Sequence, residues 1–319
     1  MQDSTFMTNS SREPSAQDGH WREHLHEVVT GLHASRELTH NIRQDGRIRD
    51  LPSREALLKV LGRLSSALFP THYGQTDLTS DTIDGFVEAA LVEALGLLED
   101  QVRRDLLSST RFDHLTIVDL HAKASDITAR FARQLPAIRA LLVSDLLAAH
   151  AGDPAAKSFP EIMLAYPGLI AIRYYRLGRA LYLLGATLLA RLISQIAHSK
   201  TAIDIHPGAE IGESFFIDHG TGIVIGETAV IGDRVRLYQA VTLGAKSFQA
   251  DESGALVKGK ARHPVVENDV VIYAGATVLG RITIGEGSVI GGNVWLTQSV
   301  PARSSITQAT LRRSETPPA

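Results

Sequence analysis

The stretch DIHPGAEIGESFFIDHGTGIVIGETAVIG, residues 204–232, places isoleucine and alanine at a step of six among glycines, with two aspartates and two histidines between them. The series Ile205, Ile211, Ile217, Ile223, Ala229 continues through Val235 and Val241. A second series, Val266, Ile272, Val278, Ile284, Ile290 and Leu296, keeps the step after a shift of one. Neither a helix nor a hairpin meander requires a period of six. Branched apolar residues at that period, with Gly, Asn or Asp between them, predict short strands joined at corners and stacked as coils of a parallel β-helix. Three such strands give a coil of about 18 residues, each burying its Ile or Val on the coil below.

The polar residues take positions on this frame. If Ile217 and Ile223 are successive inward residues, His219-Gly220-Thr221-Gly222 turns a corner with Asp218 and His219 at its rim. Position 201 then lies one coil below His219, and Asp204 just past the same corner, so the two side chains can approach. His219 has acidic neighbours and flanking glycines that admit a ligand close to the backbone, which favours a chemical role. His206, with Val224 expected above it, reads as a histidine bonded to a neighbouring backbone group. Arg262 and His263 close a polar insertion, Lys246–Arg262, at a loop edge where binding residues are often found. The insertion reads either as a solvated loop or as a lid or phosphate-contacting arm.

Upstream the texture is helical. Ile83, Val87, Leu91, Leu95, Leu98 and Val102 form one stripe, with start signals at Ser80 and Asp81. Leu57, Leu58, Leu61, Leu64 and Leu68 form another, ended by Pro70. Pro136 to Gly152 has the proline-early, glycine-late signature of a helix. The sequence therefore predicts a polar, disordered leader (1–20), a helical domain (21–200), a β-helix domain (201–300) with the inserted loop 246–262, and a tail (301–319). Of 26 glycines, 15 fall between residues 201 and 300, as the corners of the coil demand.

Composition narrows the function. A net charge of −3 over 319 residues supplies no global basic field for nucleic acid. With no cysteine there is no disulfide framework, thiolate zinc site or cysteine nucleophile, and a cytoplasmic setting is expected. The most apolar run, Ala180–Ala197, is interrupted by Arg191 and reads as a packed helix, so no membrane association is expected.

The segments DIHPGAEIG, IDHGTGIVIGETAVIG, VTLGAK, RHP and IYAGATVLG, in that order, resemble serine O-acetyltransferase, a hexapeptide-repeat acyltransferase. The likeness spans roughly residues 150–300 and includes GDPAAKSFPEIMLAYPGLIAIRYYRLG upstream. It implies a left-handed parallel β-helix behind an all-α domain, an α+β chain, and acetyl transfer from acetyl-CoA to L-serine in cysteine biosynthesis. By the same resemblance His219 is the general base and Asp204 its partner, while Asp153, Asp218, Arg262 and His263 hold serine. Gly244, Ala245, Ala274 and Gly292 would line an acetyl-CoA groove between β-helices of a homotrimer, which the helical half would pair into a hexamer; no metal is expected. The insertion resembles a longer-loop variant. The tail TQATLRRSETPPA does not end in the isoleucine by which many members dock into cysteine synthase, so the resemblance does not extend to that complex.

The chemistry fits those residue types. A hydroxyl is a poor nucleophile at neutral pH, so an imidazole must take its proton during attack on the thioester, a contribution of about a hundred- to ten-thousand-fold. A carboxylate fixes the ring and stabilises the imidazolium. A zwitterionic acceptor needs carboxylates for its ammonium and a cation for its carboxylate, and the transient oxyanion needs a donor such as a backbone N–H near the HGTG corner. Three other readings compete: a zinc hydro-lyase of the carbonic anhydrase type using His206, His219 and His263, an acetyltransferase for another hydroxyl or amine, and a non-catalytic trimerising rod.

Overall fold

The computed structural model describes residues 20–39, 43–44, 47–48, 50–247 and 250–308, so residues 1–19 of the expected leader and 309–319 of the tail lie outside it. The chain divides into two compact units, residues 1–49 and 50–319. The first contains a 3-10 turn (His20–Arg22), helix α1 (Leu25–Thr39) and an antiparallel pair, β1 (Arg43–Gln44) with β2 (Arg47–Ile48).

The second unit opens with helices. Helix α2 (Arg54–Leu68) starts at Ser53, whose hydroxyl accepts the Ala56 N–H, and buries Leu57, Val60, Leu61, Leu64 and Leu68. Pro70 then opens the short α3 (Pro70–Tyr73). Helix α4 (Ile83–Ser108) starts after Thr82, two residues later than the Ser80 signal suggests. Helix α5 (Ile117–Gly152) corrects the expected start at Pro136, because the helix runs straight through that proline. Its buried stripe continues without a break from Leu120, Ala124, Ile127 and Phe131 to Leu135, Ile138 and Leu142, and this packing outweighs the one backbone bond a proline removes. By length and composition α5 could cross a membrane, a test that core helices of soluble proteins also pass.

Helices α6 (Phe159–Ala165), α7 (Pro167–Leu183) and α8 (Thr187–Thr201) complete this part. The apolar run 180–197 breaks between α7 and α8, which pack as a hairpin. Ala186 offers α8 no side-chain cap, and Asp105, 84 residues earlier on α4, accepts the Leu189 N–H at 2.9 Å instead. Burial pushes the Asp105 carboxyl up to about 6, against the lowering effect of those backbone bonds.

Strands follow in coils. The first is β3 (Asp204–Ile205), β4 (Glu210–Ile211) and β5 (Phe216–Ile217). The second is β6 (Val224–Ile225), β7 (Val230–Ile231) and β8 (Arg236–Leu237). The third is β9 (Thr242–Gly244), β10 (Val265–Val266) and β11 (Val271–Ile272), and the fourth β12 (Thr277–Leu279), β13 (Thr283–Ile284) and β14 (Val289–Ile290). A last partial coil holds β15 (Trp295–Leu296) and β16 (Ser305–Ile306). Corresponding strands pair in parallel into three sheets, the faces of a left-handed prism.

One expectation about register is corrected. Asp204 pairs with Val224 and Ile217 with Leu237, 20 residues on, whereas Val224 pairs with Thr242 after the expected 18. The two extra residues lie in the Asp218–Ile223 corner, between β5 and β6. Gly226, not Val224, therefore stands above His206, whose N–H bonds the Ile225 carbonyl.

The helices form a platform under the first coil. Among the described residues no strand lies beneath that coil, and its backbone groups need other partners. Tyr175 donates to the Ala209 carbonyl (2.7 Å), Ser194 to Ile205 (2.7 Å) and Arg179 to Gly208 (2.8 Å). Arg176 grips Asp145 through two bonds (2.6 and 2.7 Å) and also donates to the Gly212 carbonyl, while Asp145 accepts the Phe215 N–H. Both side chains are almost wholly buried.

Candidate active site

Two edges of the prism carry the polar groups. Edge A joins the β5/β8/β11/β14 face to the β6/β9/β12/β15 face, and edge B joins that second face to the sheet of β4, β7, β10 and β13. The wide corner at edge A holds His219 with a left-handed backbone (φ +58°), followed by Gly220 and Gly222, also at positive φ. Gly220 is required there, since a Cβ would collide with Ile203 and Ile217. The His219 side chain points to solvent, 71% exposed, with its Nε2 3.8 Å from Asp218 Oδ1.

Asp218 is held from the coil above. Arg236 Nη2 donates to its Oδ2 at 2.6 Å, and Nη1 donates to the Gly152 carbonyl at 2.6 Å, tying the end of α5 to the corner. The guanidinium lies against the rings of Phe216 (4.9 Å) and Tyr238 (4.6 Å). Asp153, at the C-cap of α5, accepts the Tyr166 hydroxyl at 2.6 Å and the Ala155 N–H at 2.8 Å. The Tyr166 bond and then the Ala155 bond hold the Asp153 carboxyl below its ordinary range, with Arg236 and His219 adding to the effect, and Tyr166 is pushed up to about 12. Asp153, Asp218 and His219 thus meet at one rim, together with Arg236 and Tyr166, which sequence reasoning missed. The signal for Arg236 was its place one coil above Phe216, visible only once the 20-residue register is known.

Asp204 begins the face after the same corner, directly following Ile203, which packs under Gly220. Among the described residues no hydrogen bond or ion pair joins it to His219; the carboxylate beside the ring is that of Asp218.

Edge B holds the other group. His263 lies against Gly226, where any side chain would overlap its ring. Its Nδ1 accepts the Thr228 N–H at 3.0 Å, which leaves the proton of the neutral ring on Nε2. Burial, then Arg262, lowers its pKa. Arg262 pairs with Glu227 at 2.8 Å. Burial tends to raise the Glu227 carboxyl, but the Arg262 bond and the nearby His206 and Arg262 charges outweigh it and hold it low. His206 accepts the Gly208 N–H at 2.9 Å, the local backbone partner expected of it, and burial with Arg191 lowers its pKa to about 4.

The groove residues divide in the same way. Gly244 and Ala245 run off β9 into edge B, whereas Ala274 and Gly292 stack at edge A, where a Cβ on Gly292 would press on the Ala274 carbonyl. Beside Gly244 a cavity of about 200 Å³ is lined by Lys246, Lys260, Arg262 and Arg281. The inserted loop folds over as a turn in which Asp251 accepts the N–H groups of Ser253 and Ala255. His206 and His263 stand at edge B and His219 at edge A, so the three imidazoles do not converge within one chain. Among the described residues no group of three or more His, Asp or Glu side chains is arranged to hold a metal.

Comparison with known proteins agrees with this architecture. Residues 263–298 match the family model described as bacterial transferase hexapeptide (six repeats). A protein of Synechococcus elongatus named serine acetyltransferase, plasmid, is 57% identical over 278 residues, covering 86% of this chain and 87% of its own. Serine acetyltransferase of Bacillus subtilis is 47% identical over 52% of this chain and 72% of its own. Among solved structures, Entamoeba histolytica serine acetyltransferase 1 in complex with L-cysteine superimposes with a TM-score of 0.68 at 32% identity, covering 91% of this chain and 100% of its own. A soybean serine acetyltransferase complexed with serine gives 0.51 at 30% identity, over 80% of this chain and 96% of its own.

Proposed function

The chain belongs to the serine acetyltransferase family, and we propose that it transfers the acetyl group of acetyl-CoA to the hydroxyl of L-serine with His219 as general base. The observation that carries this reading is the rim at edge A. An exposed imidazole stands there beside two carboxylates, Asp153 and Asp218, that are each held by a named partner. The carboxylates suit an ammonium, and Arg236 or Arg262 suits a carboxylate.

In the reaction, neutral His219 takes the serine hydroxyl proton as the oxygen attacks the thioester carbonyl. Asp204 or Asp218 stabilises the resulting imidazolium. A backbone N–H of the HGTG corner stabilises the oxyanion. Collapse of the tetrahedral intermediate breaks the carbon–sulfur bond, and the imidazolium returns its proton to the departing thiolate.

The division of the site between two edges supports a homotrimer in which edge A of one copy faces edge B of the next. His219 and Asp218 would then meet Arg262 and His263 of a neighbour, and the groove residues of both edges would close on one CoA. Lys246, Lys260 and Arg281 beside Gly244 suit its phosphates, which favours the phosphate-contacting reading of the inserted loop.

Thiol release from acetyl-CoA, followed with L-serine, homoserine and amino sugars in turn, tests the reading. Serine-dependent release is expected, with turnover at least about a hundredfold lower in His219→Ala. Wild-type turnover in that variant would reject the base, and release with an amino sugar but not serine would reject the acceptor.

A further inference from the structure

Helix α7 carries two buried arginines, Arg173 and Arg176, one turn apart. Arg176 has the Asp145 carboxylate. Arg173 has no carboxylate within ion-pair distance among the described residues, and neither its Nε nor its Nη1 finds an acceptor. Yet Arg173 is only 5% exposed. A guanidinium that cannot lose its proton, taken out of water, calls for an anion.

Its surroundings hold it in place without neutralising it. The guanidinium carbon lies 4.1 Å from the centre of the Tyr73 ring and 5.6 Å from that of Tyr174. Tyr73 is itself fixed at both ends, by its hydroxyl on the Met163 carbonyl and by its own carbonyl, which accepts the Ser66 hydroxyl. Arg173 and Tyr174 line a cleft of about 490 Å³ together with Lys59, Arg63, Lys200 and Glu93. Among the described residues Glu93 is the one carboxylate of that lining, and Arg63 already holds it at 2.6 Å. Lys59 is paired with Glu55 at 3.4 Å, so of the four cations at the cleft two are matched, while Arg173 and Lys200 have no ion-pair partner among the described residues, in a space large enough for a phosphorylated small molecule.

We propose that this cleft, between α2, α3, α7 and the end of α8, binds a dianionic oxyanion, either free phosphate or the phosphate group of a larger molecule. Arg173 is the fixed anchor, and Lys59 and Lys200 are the adjustable cations at the mouth. The site is separate from the prism edges and uses no residue assigned to acetyl transfer.

The test measures thermal midpoints and calorimetric binding of the full-length protein with inorganic phosphate and, separately, glycerol 3-phosphate, against chloride at matched ionic strength. Both phosphate probes are expected to bind if the free group suffices; binding of glycerol 3-phosphate alone assigns the site to an ester. Lys59→Ala and Lys200→Ala, at exposed positions that do not threaten the fold, should each weaken binding about fivefold and leave serine-dependent thiol release unchanged. Arg173→Met should abolish binding. A response equal in wild type and both lysine variants, or matched by chloride, overturns the proposal. Phosphate binding lost in Lys246→Ala instead would place the anion at edge B. A change of sedimentation in the lysine variants without a change in phosphate affinity would give the cleft to a neighbouring copy's carboxylate; either result also overturns it.

Discussion

Arg236 holds Asp218 at 2.6 Å from one coil above, and with its other nitrogen holds the last turn of α5 at Gly152. One guanidinium thereby sets the distance between the two carboxylates assigned to the serine ammonium, since Asp153 follows Gly152 directly. Removing one partner of a half-buried charged bond costs about 1.5–3 kcal/mol. Arg236→Ala should raise the KM for serine by about tenfold or more, with the KM for acetyl-CoA changed little. Steady-state kinetics with each substrate varied checks this, and equal effects on both constants would argue for a general structural loss.

Asp204 and Asp218 are rival partners for the His219 imidazolium. If Asp204 orients the ring in the assembled enzyme, Asp204→Asn should lower kcat by about ten- to a hundredfold with the KM for serine nearly unchanged. Wild-type kcat in that variant would assign the role to Asp218, whose Oδ1 is the carboxylate oxygen 3.8 Å from the ring.

At edge B, Gly226 leaves the space that the His263 ring fills. Gly226→Ala should displace that ring from Thr228 and reduce kcat/KM for serine by about tenfold or more, the cost of one lost polar contact to a charged substrate. Circular dichroism should show an intact fold, because the position lies outside the buried Ile225–Leu243 stack. Full activity with the alanine would remove His263 from the serine site.

Asp105 predicts a pH dependence of stability. Its folded pKa of about 6 lies above the unfolded value, so the folded state binds this proton more tightly. The stabilisation is complete below about pH 4 and is lost as pH rises to about 6, by an amount on the order of 3 kcal/mol. Other carboxylates titrate in the same window, so the informative quantity is the difference between wild type and Asp105→Asn. Urea midpoints at pH 4.5 and 7 should show the asparagine variant gaining relative to wild type at the higher pH. A constant difference across that range would remove the titration from Asp105.

The period of six was legible because the coil places a branched residue inward in every strand. The same regularity concealed the wide corner. Each strand also has an inward residue two positions earlier, as Ile203 precedes Ile205 and Ile223 precedes Ile225, and all four are buried. A two-residue enlargement at Asp218–Ile223 carries one inward series onto the other, so Ile217, Ile223 and Ala229 stay in step while the register moves. Asp218, His219, Arg262 and His263 stood out by type and local company. Arg236 and Tyr166 did not, because their partners are 18 and 13 residues away along the chain and meet them only through coil stacking and the α6–α7 turn. Pro136 misled for a related reason, since a local breaker signal says nothing of the packing on either side.

The platform beneath the first coil has a further consequence. A bare prism end is a ring of unpaired strand backbone, a template on which another chain could add by strand pairing and seed a fibre. Here Tyr175, Arg176, Arg179, Ser194 and Asp145 occupy those backbone positions with side chains. Lengthwise polymerisation from that end is therefore blocked by the helices themselves.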